Sequence, residues 1–227
     1  MKKQGRPASN APALTRERIL EAALALVDAG GVERLTMRGL ARGLGVDPMA
    51  IYHYLPGKAA ILHALVDSVM GRAQPALAPD ADWREHVRAV AHAHWSLARA
   101  HPSLLRWLAL DPSAWTPAAL RLTEALLQAF HHAGLPLARS LLAADVIADY
   151  VNGCALAERS ASGSDAETRR ALLERLTGET DEPLPLLRAA LAESAGDAIA
   201  PNFDAGLEVI IAGIAASEGL GSAPVSP

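Results

Sequence analysis

Between Thr36 and Gly57 the chain reads TMRGLARGLGVDPMAIYHYLPG, a segment whose punctuation leaves the backbone little choice. Thr36 is an N-cap residue ahead of a short run with Leu40, Ala41 and Leu44 on one face, and Gly43-Leu44-Gly45 breaks that run. Asp47-Pro48 restarts a helix, because aspartate accepts from the first free amides and proline is preorganised for the first turn. Pro56-Gly57 then ends the segment only eight residues later. The pattern predicts two short helices locked by Leu40, Ala41, Val46 and Ile51 at the angle of a helix-turn-helix. The outward face of the second helix carries Pro48, Met49, Ala50, His53 and Tyr54. Small residues near its start let the backbone approach base edges in a major groove. Tyr52, Tyr54 and Lys58 offer phosphate contacts, as does Thr36, and Met37 and Arg38 beside it complete the candidate DNA-binding set.

Charge divides the same way. The net charge is −4, yet residues 1–58 hold nine of the 21 Lys+Arg and five of the 25 Asp+Glu, so the head is basic and the remainder acidic. A basic head on an acidic body implies that the head alone meets a polyanion, with chance scatter of surface charge as the plain alternative. Upstream, Thr15 is an N-cap candidate, with Arg18 where a capping-box glutamate would stand. Ile19, Ala22, Ala23, Leu26 and Val27 follow at helical spacing until Gly30-Gly31. From Lys58 a longer helix runs through Ile61, Leu62, Leu65, Val66 and Val69 to about Gly71.

Beyond Pro75, Pro79 and Asp80, prolines and glycines mark off helical segments at about 82–100, 103–109, 117–133, 137–160, 184–195 and 204–217. Ser160–Pro183 is rich in Ser, Gly, Asp, Glu and Thr and reads as a mobile connection with a short helical patch at Glu167–Leu176. No run alternates with period two for long enough to build a sheet. Half of the residues are apolar (51%) and few are aromatic (4%), which suits a helical core. The lone Cys154 excludes a disulfide within the chain and suits a reducing cytoplasm. The longest uninterrupted apolar stretch, around Val209–Ala216, is far below the roughly 20 residues that a bilayer span needs, so no membrane partner is expected.

Residues 14–70 resemble the DNA-binding domain of the tetracycline-repressor family, through ILEAALALVDAGG, LTMRGLARGLGV and IYHYLPGKAAILHAL in that order and at family spacing. The resemblance extends into the body: PLPLLRAALAE and FDAGLEVIIAGI look like the last two helices of tetracycline repressors proper, and YVNGCALAE like their central dimerisation helix. It implies an all-α fold, with an N-terminal three-helix helix-turn-helix domain and a C-terminal helical ligand-binding and dimerisation domain. The expected divisions are a basic arm (1–13), the head (14–58), a connecting helix (59–74), the body (75–220) and a tail (221–227). The implied function is a cytoplasmic homodimer that binds double-stranded operator DNA as a repressor and releases it when a small-molecule effector binds the body.

The body departs from tetracycline repressors where they hold a magnesium–drug complex. The positions of their two metal-binding histidines fall at Gln74 and Leu108, and that of a polar asparagine at Val90. Neither tetracycline nor magnesium is therefore carried over, and no cofactor is expected. Val90, His94, Leu108, Thr123, Leu126, Leu127, Leu141 and Ala144 are the candidate lining of a greasier cavity for an apolar or aromatic effector, with His94 or Thr123 as polar anchor.

Several features admit plainer readings. His86, His94 and His101 recur at spacings of eight and seven, whereas a helical metal pair wants adjacent turns, so structural or solvated roles are favoured. Trp83, Trp95, Trp107 and Trp115 are packing residues or cavity lining, and Cys154 suits a helix crossing better than redox sensing. Leu207, Ile210, Ile211 and Ile214 form a helical stripe that fits core or interface; the resemblance tips it to the dimer interface, with Gly206 and Gly213 allowing close approach. The Gly5-Arg6-Pro7 arm fits a minor groove or an unstructured tail. One rival is a DNA-binding protein without a small-molecule ligand. The other is a helical hydrolase, but no nucleophile–histidine–acid motif, phosphate-cradling loop or carboxylate–histidine metal motif supports an enzyme.

Overall fold

A computed structural model describes residues 13–73, 75, 81–160, 166–193 and 203–220, and among them all regular structure is helical. Gln74, most of the 1–13 arm, Pro79, Asp80 and the 221–227 tail lie outside the described residues. By packing the chain divides into two units, Met1–Leu65 and Val66–Pro227.

In the first unit each of the first three helices begins on a side-chain cap. Thr15 accepts from the Arg18 amide (3.2 Å) at the start of α1 (Arg16–Gly30). Thr36 accepts from the Gly39 amide (3.0 Å) at α2 (Met37–Leu44), and Asp47 from the Met49 amide (2.8 Å) at α3 (Pro48–Tyr52). Each bond satisfies an amide that the helix itself leaves free. Gly45, at φ 69°, makes the left-handed turn between α2 and α3, where a side chain would be strained. Ile19, Leu20, Ala23 and Val27 of α1 are buried with Leu35, Leu40, Ala41, Ile51 and Leu55; Val46 is half-buried. The Tyr54 hydroxyl donates to the Leu14 carbonyl (2.7 Å), tying the segment just before α1 to the turn after α3. α4 (Lys58–Met70) runs across the division between units and is apolar nearly all round, with Ile61, Leu62, Leu65, Val66 and Val69 buried.

In the second unit α5 (Trp83–Ala100), α7 (Pro117–His132) and α8 (Leu137–Ser160) pack against one another, and α6 (Pro102–Leu110) lies on α5 and α8. Alanines at these crossings (Ala91, Ala98, Ala129, Ala143, Ala144, Ala155) are buried, and their small side chains let the backbones approach. The span Leu137–Ala157 of α8 is long and apolar enough to cross a membrane by composition, although Asp145 and Asp149 interrupt it. Its stripe of Ser140, Ala143, Ala144, Ile147, Val151 and Ala155 is buried against protein, and its opposite face is exposed.

α9 (Ala166–Glu179) and α10 (Pro185–Glu193) pack on each other. The expected mobile connection is thus largely a 14-residue helix. Its polar composition hid the spacing of Leu173 and Thr177, whose hydroxyl, 7% exposed, donates back to the Leu173 carbonyl (2.8 Å).

α11 (Phe203–Ser217) lies along α8, and polar contacts fasten it to α5. Arg88 grips Glu208 with two bonds (2.6 and 2.9 Å), His92 Nε2 lies 3.0 Å from Asp204 Oδ1, and Arg84 donates to the Leu220 carbonyl (3.2 Å). Phe203 stacks on Trp95 (4.2 Å between centroids), and a side chain at Gly206 would collide with Tyr150. One expectation is corrected here. Leu207 and Ile211 are each 1% exposed within the single chain, so they have almost no surface left for a second copy. Ile210 and Ile214 are half-buried. Half of the stripe faces inward because α11 packs Leu207 and Ile211 on its own body.

Candidate functional site

Two sites emerge, one in each unit. In the first, burial of Ile51 and Leu55 fixes which face of α3 is turned outward. Met49 is 62% exposed, Tyr52 and Tyr54 are exposed at its far end with His53, and Pro48 and Ala50 are half-buried between them. Thr36 and Arg38 are exposed, and Met37 is half-buried. Arg38 and Arg42 stand one turn apart on α2, and neither has an ion-pair partner among the described residues. Lys58 opens α4 and makes a long contact with the exposed Glu33 (4.0 Å) that leaves its ammonium open to solvent. Of the ten expected DNA-contacting residues, six lie on α3 or just after it, three at the start of α2 and Lys58 at the start of α4. Three polar groups among them or beside them already serve the fold: the Thr36 hydroxyl and Asp47 carboxylate as caps, and the Tyr54 hydroxyl as the tie to Leu14. A short outward helix beside unpaired cations is the arrangement that places one element in a groove and cations on phosphates.

The second site is a cavity in the body, built from α5, α6, α7 and α8 with Met70 of α4 at one side. Its empty space, counted with the solvent of its open mouth, is about 620 Å³. No lining side chain is charged; the polar groups are His94, Thr123, Asn152 and the indole of Trp115, which is half-exposed. Burial pushes the His94 imidazole down to about 4, opposed by a hydrogen bond with the Asn152 side chain, so the ring is neutral at physiological pH. A neutral imidazole beside an amide and a hydroxyl can donate and accept hydrogen bonds without bringing a net charge.

Val90, His94, Leu108, Thr123 and Leu126 line this cavity, and Leu127, Leu141 and Ala144 do not. Leu127 is one residue past the lining row of Ala119, Leu122, Thr123 and Leu126, and a turn of about 100° carries it off that face. Leu141 is 47% exposed on the outer face of α8, and Ala144 is buried nearer the start of α8 than the lining residues Ile147, Ala148 and Asn152. The sequence reading missed Asn152, although a lone amide in the apolar stretch Tyr150–Ala157 was a usable signal. Of the tryptophans, Trp115 alone among the described residues lines the cavity. Trp83 packs on Phe130, Trp95 on Phe203, and Trp107 donates to Asp111 (3.1 Å). Among the described residues no three His, Cys, Asp or Glu side chains are grouped to hold a metal.

Comparison with known proteins matches both units. Residues 19–65 match the family described as bacterial regulatory proteins, tetR family, and residues 74–217 the tetracyclin repressor-like C-terminal domain. The HTH-type transcriptional repressor DrrR1 of Streptomyces coeruleorubidus is 34% identical over 222 residues, covering 88% of this chain and 80% of the relative. The transcriptional regulator SCO7222, a TetR from Streptomyces coelicolor, superposes with a TM-score of 0.76 at 32% identity, over 90% of this chain and 99% of that one. The Streptomyces coelicolor TetR family protein ActR, solved in complex with actinorhodin, superposes with a TM-score of 0.71 at 26% identity, over 90% and 96% of the two chains.

Proposed function

The chain belongs to the tetR family of bacterial regulatory proteins, a DNA-binding transcriptional regulator, and we propose that it is a cytoplasmic repressor whose α3 enters operator DNA and whose body takes a small, uncharged, apolar or aromatic effector. The observation that carries this reading is the pairing of an outward α3 with a separate cavity that has no charged lining. A relative of the same family, ActR, has been solved with actinorhodin bound, which supports a small-molecule effector here.

The acting form is a homodimer. Leu142 (52% exposed) and Val146 (42%) on α8, and Val209 (72%) on α11, leave an apolar outer face on two packed helices that suits a second copy. Two heads then fill successive major grooves about 34–36 Å apart. α4 begins at Lys58 and ends at Met70, which lines the cavity, so an effector that displaces Met70 acts on the same helix that carries Lys58. Near-complete reversal of operator occupancy requires the effector to favour the non-binding state by about 5 kcal/mol.

The test is binding of the full chain to the DNA flanking its own gene, titrated against salt, for wild type and a Tyr52→Ala, Lys58→Ala double variant. Specific binding, weakened by salt and lost in the variant, is expected, and the same complex then serves to screen effectors by release. Absence of sequence preference at moderate salt overturns the operator reading. A tight cavity ligand that leaves operator affinity unchanged overturns the release mechanism. The alternative of a regulator without a small-molecule ligand would have favoured a filled body, and the cavity argues against it.

A further inference from the structure

The chemistry of α3 narrows what it can read. With Ile51 fully buried and each helical residue turning about 100°, Met49 and His53 point most nearly away from the core. Met49 is 62% exposed, and its thioether has no donor and is only a weak acceptor. Pro48 and Ala50 beside it carry no hydrogen-bonding side chain. Of the polar side chains flanking this turn, Asp47 accepts from the Met49 amide and Tyr54 donates to the Leu14 carbonyl, so these two are held by the fold. In the major groove every base edge offers donors or acceptors, and the one apolar feature is the C5-methyl group of thymine.

Building on the operator reading above, we propose that Met49, unobstructed by the small Ala50 beside it, recognises a thymine methyl group, so that each half-site carries thymine under the first turn of α3. Apolar contact then sets sequence preference at those base pairs, while His53, one turn further on, is free to hydrogen-bond a different pair.

The experiment selects binding sites for the full chain from a randomised duplex library. Synthetic duplexes of the recovered site are then measured with each thymine in turn replaced by deoxyuridine, which lacks only the methyl. Loss of one buried methyl predicts about fourfold weaker binding of wild type at the thymines under α3. Met49→Ala, an exposed substitution whose folding is checked by its melting curve, is expected to bind the thymine site about as weakly as wild type binds the uracil one, with no further penalty from uracil. Met49→Gln is expected to move the selected base toward adenine, which an amide pairs bidentately. A recovered site at which wild type tolerates every uracil replacement sinks this inference alone, as does a uracil penalty that survives in Met49→Ala. A library that yields no preferred sequence sinks the operator reading, and this one with it.

Discussion

The head and the body solve the same problem, placing helices, by opposite means. In the head most of the decisive bonds span two or three residues, Thr15 to Arg18, Thr36 to Gly39 and Asp47 to Met49, with Tyr54 to Leu14 the long-range exception. In the body they join distant parts of the chain, with Arg88 and Glu208 120 residues apart and Tyr150 donating to the Phe203 carbonyl 53 residues on. The head fills its centre with Ile19, Leu40 and Ile51, each at 0% exposure, whereas the body leaves a cavity between four helices and Met70. A short-range, filled unit suits a surface that must keep one shape. A long-range, hollow unit suits a core that must admit something.

This contrast is sharpest at the head's core. Leu40→Ala should cost about 2–5 kcal/mol, because the small head has little room to relax around the gap. Operator binding should disappear while most helical signal survives in circular dichroism; loss of all helicity would show that the two units do not differ in this way. The body answers to pH instead. His94, lowered from 6.5 to about 4, contributes stability that is complete above pH 6.5 and is lost as pH falls toward 4, since the unfolded chain takes up the proton first. The unfolding free energy from urea titrations should fall over that window by on the order of 2 kcal/mol, allowing for solvent at the cavity-facing edge of the ring, and His94→Leu should flatten the profile.

Smaller effects probe the two kinds of bond directly. Asp47→Ala should cost about 1 kcal/mol through the lost cap, with operator affinity falling further than stability because α3 itself is loosened. Glu208→Gln should cost less than about 1 kcal/mol, since the Arg88 pair is largely solvated and the side chains stay hydrogen-bonded. A larger loss from Glu208→Gln than from Asp47→Ala, measured by chemical denaturation, would reverse the ranking of long-range and short-range bonds.

The same contrast explains what could be read from residues alone. The caps, the Gly45 turn and the inward Leu40, Ala41 and Ile51 are written within a few positions of where they act. The cavity depends on the phase of several helices at once, so of the two neighbours expected to line it Leu126 does and Leu127 does not, and Asn152 is not among the expected residues. For α9 the sequence predicts only a short helical patch at Glu167–Leu176 within a connection, because composition argues for a loop while only a few spaced residues argue for a helix. Leu207 and Ile211 show the limit of periodicity, which marks a face as apolar without saying whether its own chain or another one covers it.

α4 gives the molecule a genetic signature. Substitutions on α3 and substitutions around His94 should sort into separate classes, one blind to DNA and the other blind to the effector. Lys58 and Met70 sit at the two ends of one helix, so lesions between them disturb both traits together. In a screen for repressors that no longer respond, this 13-residue stretch is where mixed phenotypes should gather, and where second-site suppressors of either class should be sought.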